Sequence, residues 1–493
     1  MSQRLFRTAW PALVVAALLP SASACRKPVP FPVEVARKDI RAACRQAASH
    51  PSSAALGGDR LFAGPLLERF YERRAYEPAW SRSGDLLPDA EALLRAIRRA
   101  GDEGLEPEDY NEKRLAAGIG AARQEPATGK PLEERAHRVA ELDVLLTDAF
   151  LLYAAHLDQG KVDVERAVPR WTIAPDHPAL PGVLGRALQD HAVEETLERS
   201  LPAHDHYRDL RAAHAHYVRM AAERGKNAEF ARRRARVLAL NMERWRWLPR
   251  DLGKAHVLVD VAAFQLVVRD GGREPLRTKI VAGSEAWQTP DFTSEINQVV
   301  INPSWNAPRH VLVTELITYM RADPNYLAAN KMTLLRRAGD REEALDPATV
   351  DFTRANEETI DFRLRQDPGP LNVLGRLLFR LPNKYDIFLH DTPYQEDFGK
   401  TARMYSHGCV RVQKPVDFAL FLLRGERGWT RERLQASIDL LEQRVITLRR
   451  PVPTHVIYAT AWASPDGRVR FVSDVYQRDR NLERALGARR PGE

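Results

Sequence analysis

Cysteine is scarce: Cys25, Cys44 and Cys409 are the only three in 493 residues. A disulfide-knit scaffold is thereby excluded, since at most one bridge can form. The paired Cys-x-x-Cys spacing of zinc modules is missing as well. Beyond the N-terminal segment, no run of 18 apolar residues occurs. Nothing later therefore reads as a membrane-spanning helix, and the mature chain is expected to be soluble or merely anchored. The net charge of +8 favours anionic partners. Arg and Ala recur along the whole chain, however, which also fits solvated helix surface. No basic patch is interleaved with aromatics, so nucleic acid is not an expected partner. Internal repeats are absent too.

The first 25 residues are informative. Arg4 and Arg7 precede an apolar run from Ala9 to Leu19, followed by Ser21-Ala22-Ser23-Ala24-Cys25. A charged start, a short apolar middle and a small-residue exit read as a secretory signal peptide over 1–24. Ala22-Ser23-Ala24 suits ordinary cleavage. Cys25 after small residues also resembles a lipoprotein box, although Ala22 stands where Leu is common. The expected location is the periplasm, with Cys25 as a lipidation candidate. Without lipidation, a Cys25–Cys44 bridge is the alternative.

Residues 25–58 are rich in Pro, Ala and Ser and read as a tether. Over 59–250 the pattern is helical. Leu93, Leu94 and Ile97 share one helix face, and Leu142, Leu145, Leu146, Ala149, Phe150 and Tyr153 form a longer stripe. A third helical stretch, from about 207 to 247, is dense in Arg and ends at Pro249. Near Ala255 the pattern turns to β-branched runs. His256–Val261, Phe264–Val268, Thr278–Val281, Ile296–Asn302, Val373–Phe379 and Tyr385–His390 read as strands. Asp270-Gly271-Gly272 marks a hairpin turn. Asp417 to Leu423 reads as a short helix, and the last forty or so residues hold a strand pair and an Arg-rich polar end. The expected fold class is α+β: a helical N-terminal domain over 59–250 and a β-rich domain over 251–450. Residues 309–370 interrupt the second domain, and 451–493 form a C-terminal extension.

The chemistry gathers near Cys409. Leu389-His390-Asp391-Thr392 closes a strand, and Tyr405-Ser406-His407-Gly408-Cys409-Val410-Arg411 follows shortly after. A free thiol is only a few per cent thiolate at neutral pH, and a neighbouring imidazole can take its proton. Gly408 leaves room for a carbonyl to approach. The N–H groups around Gly408 and Cys409 could then stabilise an oxyanion. Zinc held by His390, His407 and Cys409 would need a ligand spacing that is absent, so no metal or other cofactor is expected. Any one of these residues alone would read as packing; together they read as a cysteine nucleophile.

These residues resemble a known family. Ser406-His407-Gly408-Cys409-Val410-Arg411, with His390 upstream, looks like the signature of the L,D-transpeptidase (YkuD-type) catalytic domain. Asn241 to Pro249, Gln288-Thr289-Pro290, Asn302 to Pro308, Pro368-Gly369-Pro370 and Leu374-Gly375-Arg376 resemble its long Gram-negative subfamily. Weaker likeness to that subfamily's helical scaffold runs over 60–200, at Gly101 to Leu105 and His156 to Val162. Similar long members insert a small peptidoglycan-binding module, for which the helical, Arg-rich stretch Leu201–Leu240 is too short.

The resemblance implies that Cys409 attacks a peptidoglycan tetrapeptide stem, expels the terminal D-Ala and passes the thioester to an amine, forming wall cross-links. It implies His390 as general base and then acid. His407, Gly408 and Ser406 are implied to orient the loop or the oxyanion site, and 309–370 to cap the cleft. Arg411 could bind a stem carboxylate or form a structural salt bridge. Tyr405 and Trp305 could wall the cleft or simply fill a core. An outer-membrane lipoprotein or a free D-amino acid is an alternative acceptor. Two other readings compete: an L,D-carboxypeptidase or peptidase that sends the thioester to water, and a non-catalytic wall-binding lipoprotein.

Overall fold

The computed structural model describes residues 30–51, 53–124, 131–164, 179–223 and 225–487. The signal segment, Cys25 and the Arg-rich end beyond 487 lie outside the described residues.

The N-terminal half is helical: α1 (Val33–Ser49), α2 (Gly64–Glu72), α3 (Pro88–Arg98), α4 (Glu112–Gln124), α5 (Leu132–Gln159), α6 (Leu180–Gln189), α7 (Val193–Arg199), α8 (Asp205–Ala222) and α9 (Ala228–Arg246). Helix α5 runs through the middle of this half. Its 28 residues span about 42 Å at 1.5 Å per residue. Leu142, Leu145, Leu146, Ala149, Phe150 and Tyr153 are all buried. Burial on nearly every side is what an all-round apolar helix at the centre of a bundle should show. The helix also carries buried carboxylates that organise its neighbours. Asp143 accepts the N–H groups of Ala79 and Trp80 and the hydroxyl of Tyr71. Asp148 accepts the N–H groups of Phe62 and Ala63 at the start of α2.

The expected tether over 25–58 is not one in its described part. Helix α1 occupies Val33–Ser49 and buries Ala36, Ile40, Ala43, Cys44 and Ala47. Composition concealed this helix, because small Ala side chains still make an apolar stripe when they recur every three or four positions. Burial, with Glu68 and Asp143 nearby, pushes the Cys44 thiol well above its ordinary range.

The second half is built on a nine-stranded sheet. Its strands are β1 (Ala255–Asp260), β2 (Gln265–Asp270), β3 (Arg273–Gly283), β4 (Phe292–Ile301), β9 (Leu377–Arg380), β10 (Leu389–His390), β11 (Met404–Ser406), β12 (Val410–Val412) and β13 (Arg444–Ile457), with β5–β8 described below. The order is β11-β3-β12-β10-β9-β4-β13-β1-β2, and a further β2–β3 pairing curls the sheet onto itself. The β2–β3 turn is Gly271-Gly272, both at positive φ, with Asp270 paired to Arg273. That is the hairpin expected from the sequence. Helices Pro415–Leu423 and Arg431–Asp439 cover the inner face, where Phe418 packs on Phe379.

Two boundaries differ from expectation. Strand β13 lies between β4 and β1, so residues 451–457 belong to the centre of the sheet rather than to an extension. Beyond it, Ala461–Ala463 and Val469–Phe471 pair, and a helix spans Arg478–Gly487. The strand expected over 385–390 is reduced to two residues. Asp386 has φ +53°, and the Asn383 side chain accepts the N–H groups of Tyr385 and Ile387 that a ladder would use.

Residues 305–366 form a smaller unit with strands β5 (Trp305–Asn306), β6 (Met332–Ala338), β7 (Arg341–Leu345) and β8 (Phe362–Gln366), in the order β7-β6-β8-β5. It has a core of its own around Leu312, Leu316, Ile317, Met320, Leu334 and Leu364. The two halves of the chain share one core, since Leu258, Ile457, Ala459 and Ala461 join the scaffold cluster. Polar ties cross the same junction: Asn241 and Thr460 exchange two hydrogen bonds, and Arg244 pairs with Asp479.

Candidate active site

Strands β10 and β12 run parallel, with Leu389 opposite Val410 and His390 opposite Arg411. Leu389 and Val410 point into the core. Side chains alternate along a strand, so His390 and Arg411 take the other face, and Cys409 directly precedes β12. The parallel pairing thus brings the end of β10, with His390, next to the segment that leads from Cys409 into β12, although the two residues are nineteen positions apart in sequence.

The Cys409 sulfur accepts the Phe388 N–H at 3.4 Å and lies 3.8 Å from the Asp386 carbonyl oxygen. Burial pushes the thiol up to about 11, against the lowering pull of the Phe388 N–H and Arg411. His390 is buried, with Nδ1 against the Asp391 carbonyl oxygen. A carbonyl oxygen only accepts, so Nδ1 carries the hydrogen and Nε2 keeps its lone pair. Burial and then the Arg411 charge hold this imidazole down at about 4, although the carbonyls of Asp391 and Leu374 favour the protonated form. Near neutral pH the resting pair is therefore a neutral thiol beside a neutral imidazole. No hydrogen bond joins the two among the described contacts. Such contacts often tighten only when substrate binds.

The loop before Cys409 is held through its backbone. Gly408 has φ +107°, a conformation that calls for glycine, and a Cβ there would press on the Ile387 side-chain tip at 2.9 Å. The Ser406 hydroxyl donates to the Cys409 carbonyl and accepts the Gly408 N–H at 3.2 Å. Ser406 O accepts the Ser284 N–H at 2.8 Å. His407 turns outward: its Nε2 lies 2.5 Å from Glu315 Oε1, a residue of the inserted unit. Trp287 stands beside His407, with ring centroids 5.9 Å apart, and stacks on His310 of the insert at 4.8 Å.

The remaining sequence candidates separate. Arg411 is engaged by Asp397 at 2.9 Å and lies over the Tyr394 ring, which is the salt-bridge reading. Tyr405 is exposed, with the Lys400 ammonium over its ring. Trp305 is partly buried and packs against the insert's own core. Among the described residues, no three His, Cys, Asp or Glu side chains are grouped to hold a metal ion.

Sequence reasoning missed Trp287, Thr289, Glu315 and Asp397. Gln288-Thr289-Pro290 was visible as a motif but gave no sign of its contacts; Glu315 sits in an unremarkable helical stretch.

Residues 254–429 match the L,D-transpeptidase catalytic domain, and residues 65–213 match the Scaffold domain. A Haemophilus influenzae protein provisionally named an L,D-transpeptidase is 27% identical over 447 residues, covering 87% of this chain and 81% of that one. Two solved structures show only faint likeness, each 11% identical with a TM-score of 0.20. The Ldtfm–avibactam carbamoyl enzyme is covered over 51% of its chain and 43% of this one. An L,D-transpeptidase from Mycobacterium smegmatis is covered over 58% and 41% respectively, and neither superposition bears on the assignment. The chain therefore carries an L,D-transpeptidase catalytic domain at 254–429, behind a scaffold domain at 65–213.

Proposed function

We propose that the chain cross-links peptidoglycan through a thioester on Cys409. The observation that carries this reading is that His390 ends β10 while Cys409 directly precedes β12, the parallel strand paired to it. In the proposed cycle, His390 Nε2 takes the thiol proton as the sulfur attacks the carbonyl carbon of a tetrapeptide stem. The C–S bond forms and the carbonyl π pair moves onto oxygen. The intermediate collapses, the C–N bond to the terminal D-Ala breaks, and the imidazolium returns its proton to the leaving amine. An amine from a neighbouring stem then attacks the thioester and restores the thiol. A neutral imidazole near 4 and a thiol near 11 suit a base that acts during attack better than a standing ion pair.

The N-terminal segment supports export to the periplasm, with Cys25 as the site of lipid attachment. Comparing membrane and soluble fractions of the wild type and Cys25→Ser tests the anchor. The principal experiment incubates purified sacculi with the protein and measures muropeptides by mass. Cross-linked dimers with released D-Ala are expected. Tripeptide alone, with no dimer, would mean that water is the acceptor, and unchanged muropeptides would end the catalytic reading.

A further inference from the structure

Cys409 N–H, like His407 N–H, is free of any partner among the described residues, whereas Gly408 N–H is taken by Ser406. What aims that donor is the peptide to which it belongs. A trans peptide points its N–H opposite its C=O. The C=O of the Gly408–Cys409 peptide is fixed by the Thr289 hydroxyl, which donates to it at 2.8 Å.

Thr289 is fully buried, and its hydroxyl both donates and accepts, since it also takes the Gly283 N–H at 2.9 Å. The tie depends on a close approach: a Cβ on Gly283 would come 3.0 Å from Gly408 Cα and 2.0 Å from Trp287 O. Behind Thr289 stands a second row of donors. The Tyr476 hydroxyl donates to Gly283 O, and Arg478 donates to Thr289 O at 2.9 Å and to Gln288 Oε1 at 3.1 Å while pairing with Asp291. The threonine is thus clamped from the rear and cannot follow a loop that tries to turn.

We infer that Thr289 is the positioning residue of the oxyanion site: by holding the Gly408 carbonyl it keeps the Cys409 N–H directed at the oxygen that gains charge when the Cys409 sulfur attacks a carbonyl. It touches no reacting atom itself. This inference rests on the cysteine mechanism above and adds to it the residue that builds the hole.

Two reactions at one sulfur separate this role from packing. Alkylation by iodoacetamide displaces iodide and forms no oxyanion. Acylation by p-nitrophenyl acetate forms a C–S bond, moves the carbonyl pair onto oxygen and then releases nitrophenolate. Thr289→Val keeps the shape and removes the hydroxyl. Folded Thr289→Val, with wild-type melting, is expected to alkylate within about twofold of wild type and to acylate about 100-fold more slowly, the usual loss for one oxyanion donor. Thr289→Ser restores the hydroxyl and should bring acylation back to within a few-fold. Thr289→Ala is the second hydroxyl-free variant and should show the same split. Acylation of Thr289→Val within a few-fold of wild type would overturn the inference. So would an equal fall in alkylation and acylation in both hydroxyl-free variants. Because the ester needs neither stem peptide nor acceptor, the outcome is independent of whether the protein cross-links sacculi.

Discussion

Glu315 and His407 meet at 2.5 Å, and they come from different units: Glu315 from the inserted unit, His407 from the loop that carries the nucleophile. With Trp287 stacked on His310, this makes two contacts by which the insert rests against the Cys409 loop and the Trp287 segment. The His407 and Glu315 side chains are 34% and 40% exposed. Such a pair contributes up to about 1 kcal/mol, or roughly fivefold in a seating equilibrium.

Unseating the insert should therefore change what captures the thioester. Water is everywhere, while an acceptor amine must be held in place to compete. Glu315→Ala is expected to lower the ratio of cross-linked dimer to free tripeptide by about three- to fivefold, with donor cleavage nearly unchanged. Both products are quantified from one digest of treated sacculi. An unchanged ratio in the folded variant would refute the insert's part in choosing the acceptor. Removing a larger piece is a poorer test, because β6 and β8 carry the insert's own core.

The nucleophile can be tested directly. Cys409→Ala should remove at least about 10³-fold of turnover without moving the melting temperature, since the sulfur's described partners are one N–H and one carbonyl at long range. Wild-type-like turnover by the folded variant would end the cysteine mechanism.

In the proposed mechanism His390 sets the acid limb of the rate. The base must be neutral, and its ring is held down at about 4. The rate constant kcat/KM is expected to be flat through neutral pH and to fall as pH drops through about 4. In His390→Ala the proton acceptor is gone, and only thiolate already present can react. Its residual rate should climb tenfold per pH unit toward about 11. A flat profile for that variant would assign the proton transfer elsewhere.

Acid should also loosen the junction between the halves. His204, His206 and His455 are held down at about 4, chiefly by burial. His204 and His206 pack on Trp245, and His206 also meets Trp462 edge-on. An unfolded imidazole titrates near 6.5. The unfolded chain thus binds more protons between about 6.5 and 4, and stability is full above 6.5 and lost as pH falls through that window. Each ring contributes a slope of at most about 1.4 kcal/mol per pH unit. Urea midpoints measured across pH 4–7 should fall accordingly, and His206→Phe should flatten the slope. A midpoint independent of pH would contradict neutral burial.

Legibility followed sequence distance. The Ser406–Cys409 loop, His390 and the Gly271-Gly272 hairpin are local signals, and residue type with spacing was enough to find them. The Thr289–Gly408 and Glu315–His407 contacts cross about a hundred residues, and a threonine or glutamate looks the same whether it holds a catalytic peptide or solvent. Helix α1 was hidden by its small side chains, and β13 by its position beyond the motif-bearing segment. The strand before His390 failed because Asn383 and Asp386 divert the backbone locally, which no alternation pattern records.

Strand β13 has a consequence for how the molecule comes into being. Cys409 and His390 are both synthesised before residue 444, yet the sheet between β4 and β1 stays open until β13 arrives. Tyr476 and Arg478, which clamp Thr289, come later still. Long-range closure of this kind is slow, and the open strand edges are exposed in the meantime. A chain emerging N-terminus first therefore carries its thiol and imidazole for most of its birth without a finished oxyanion site. The support behind Thr289 is thus completed by residues 444–478, so a product cut short near residue 450 would display the whole signature and lack that support.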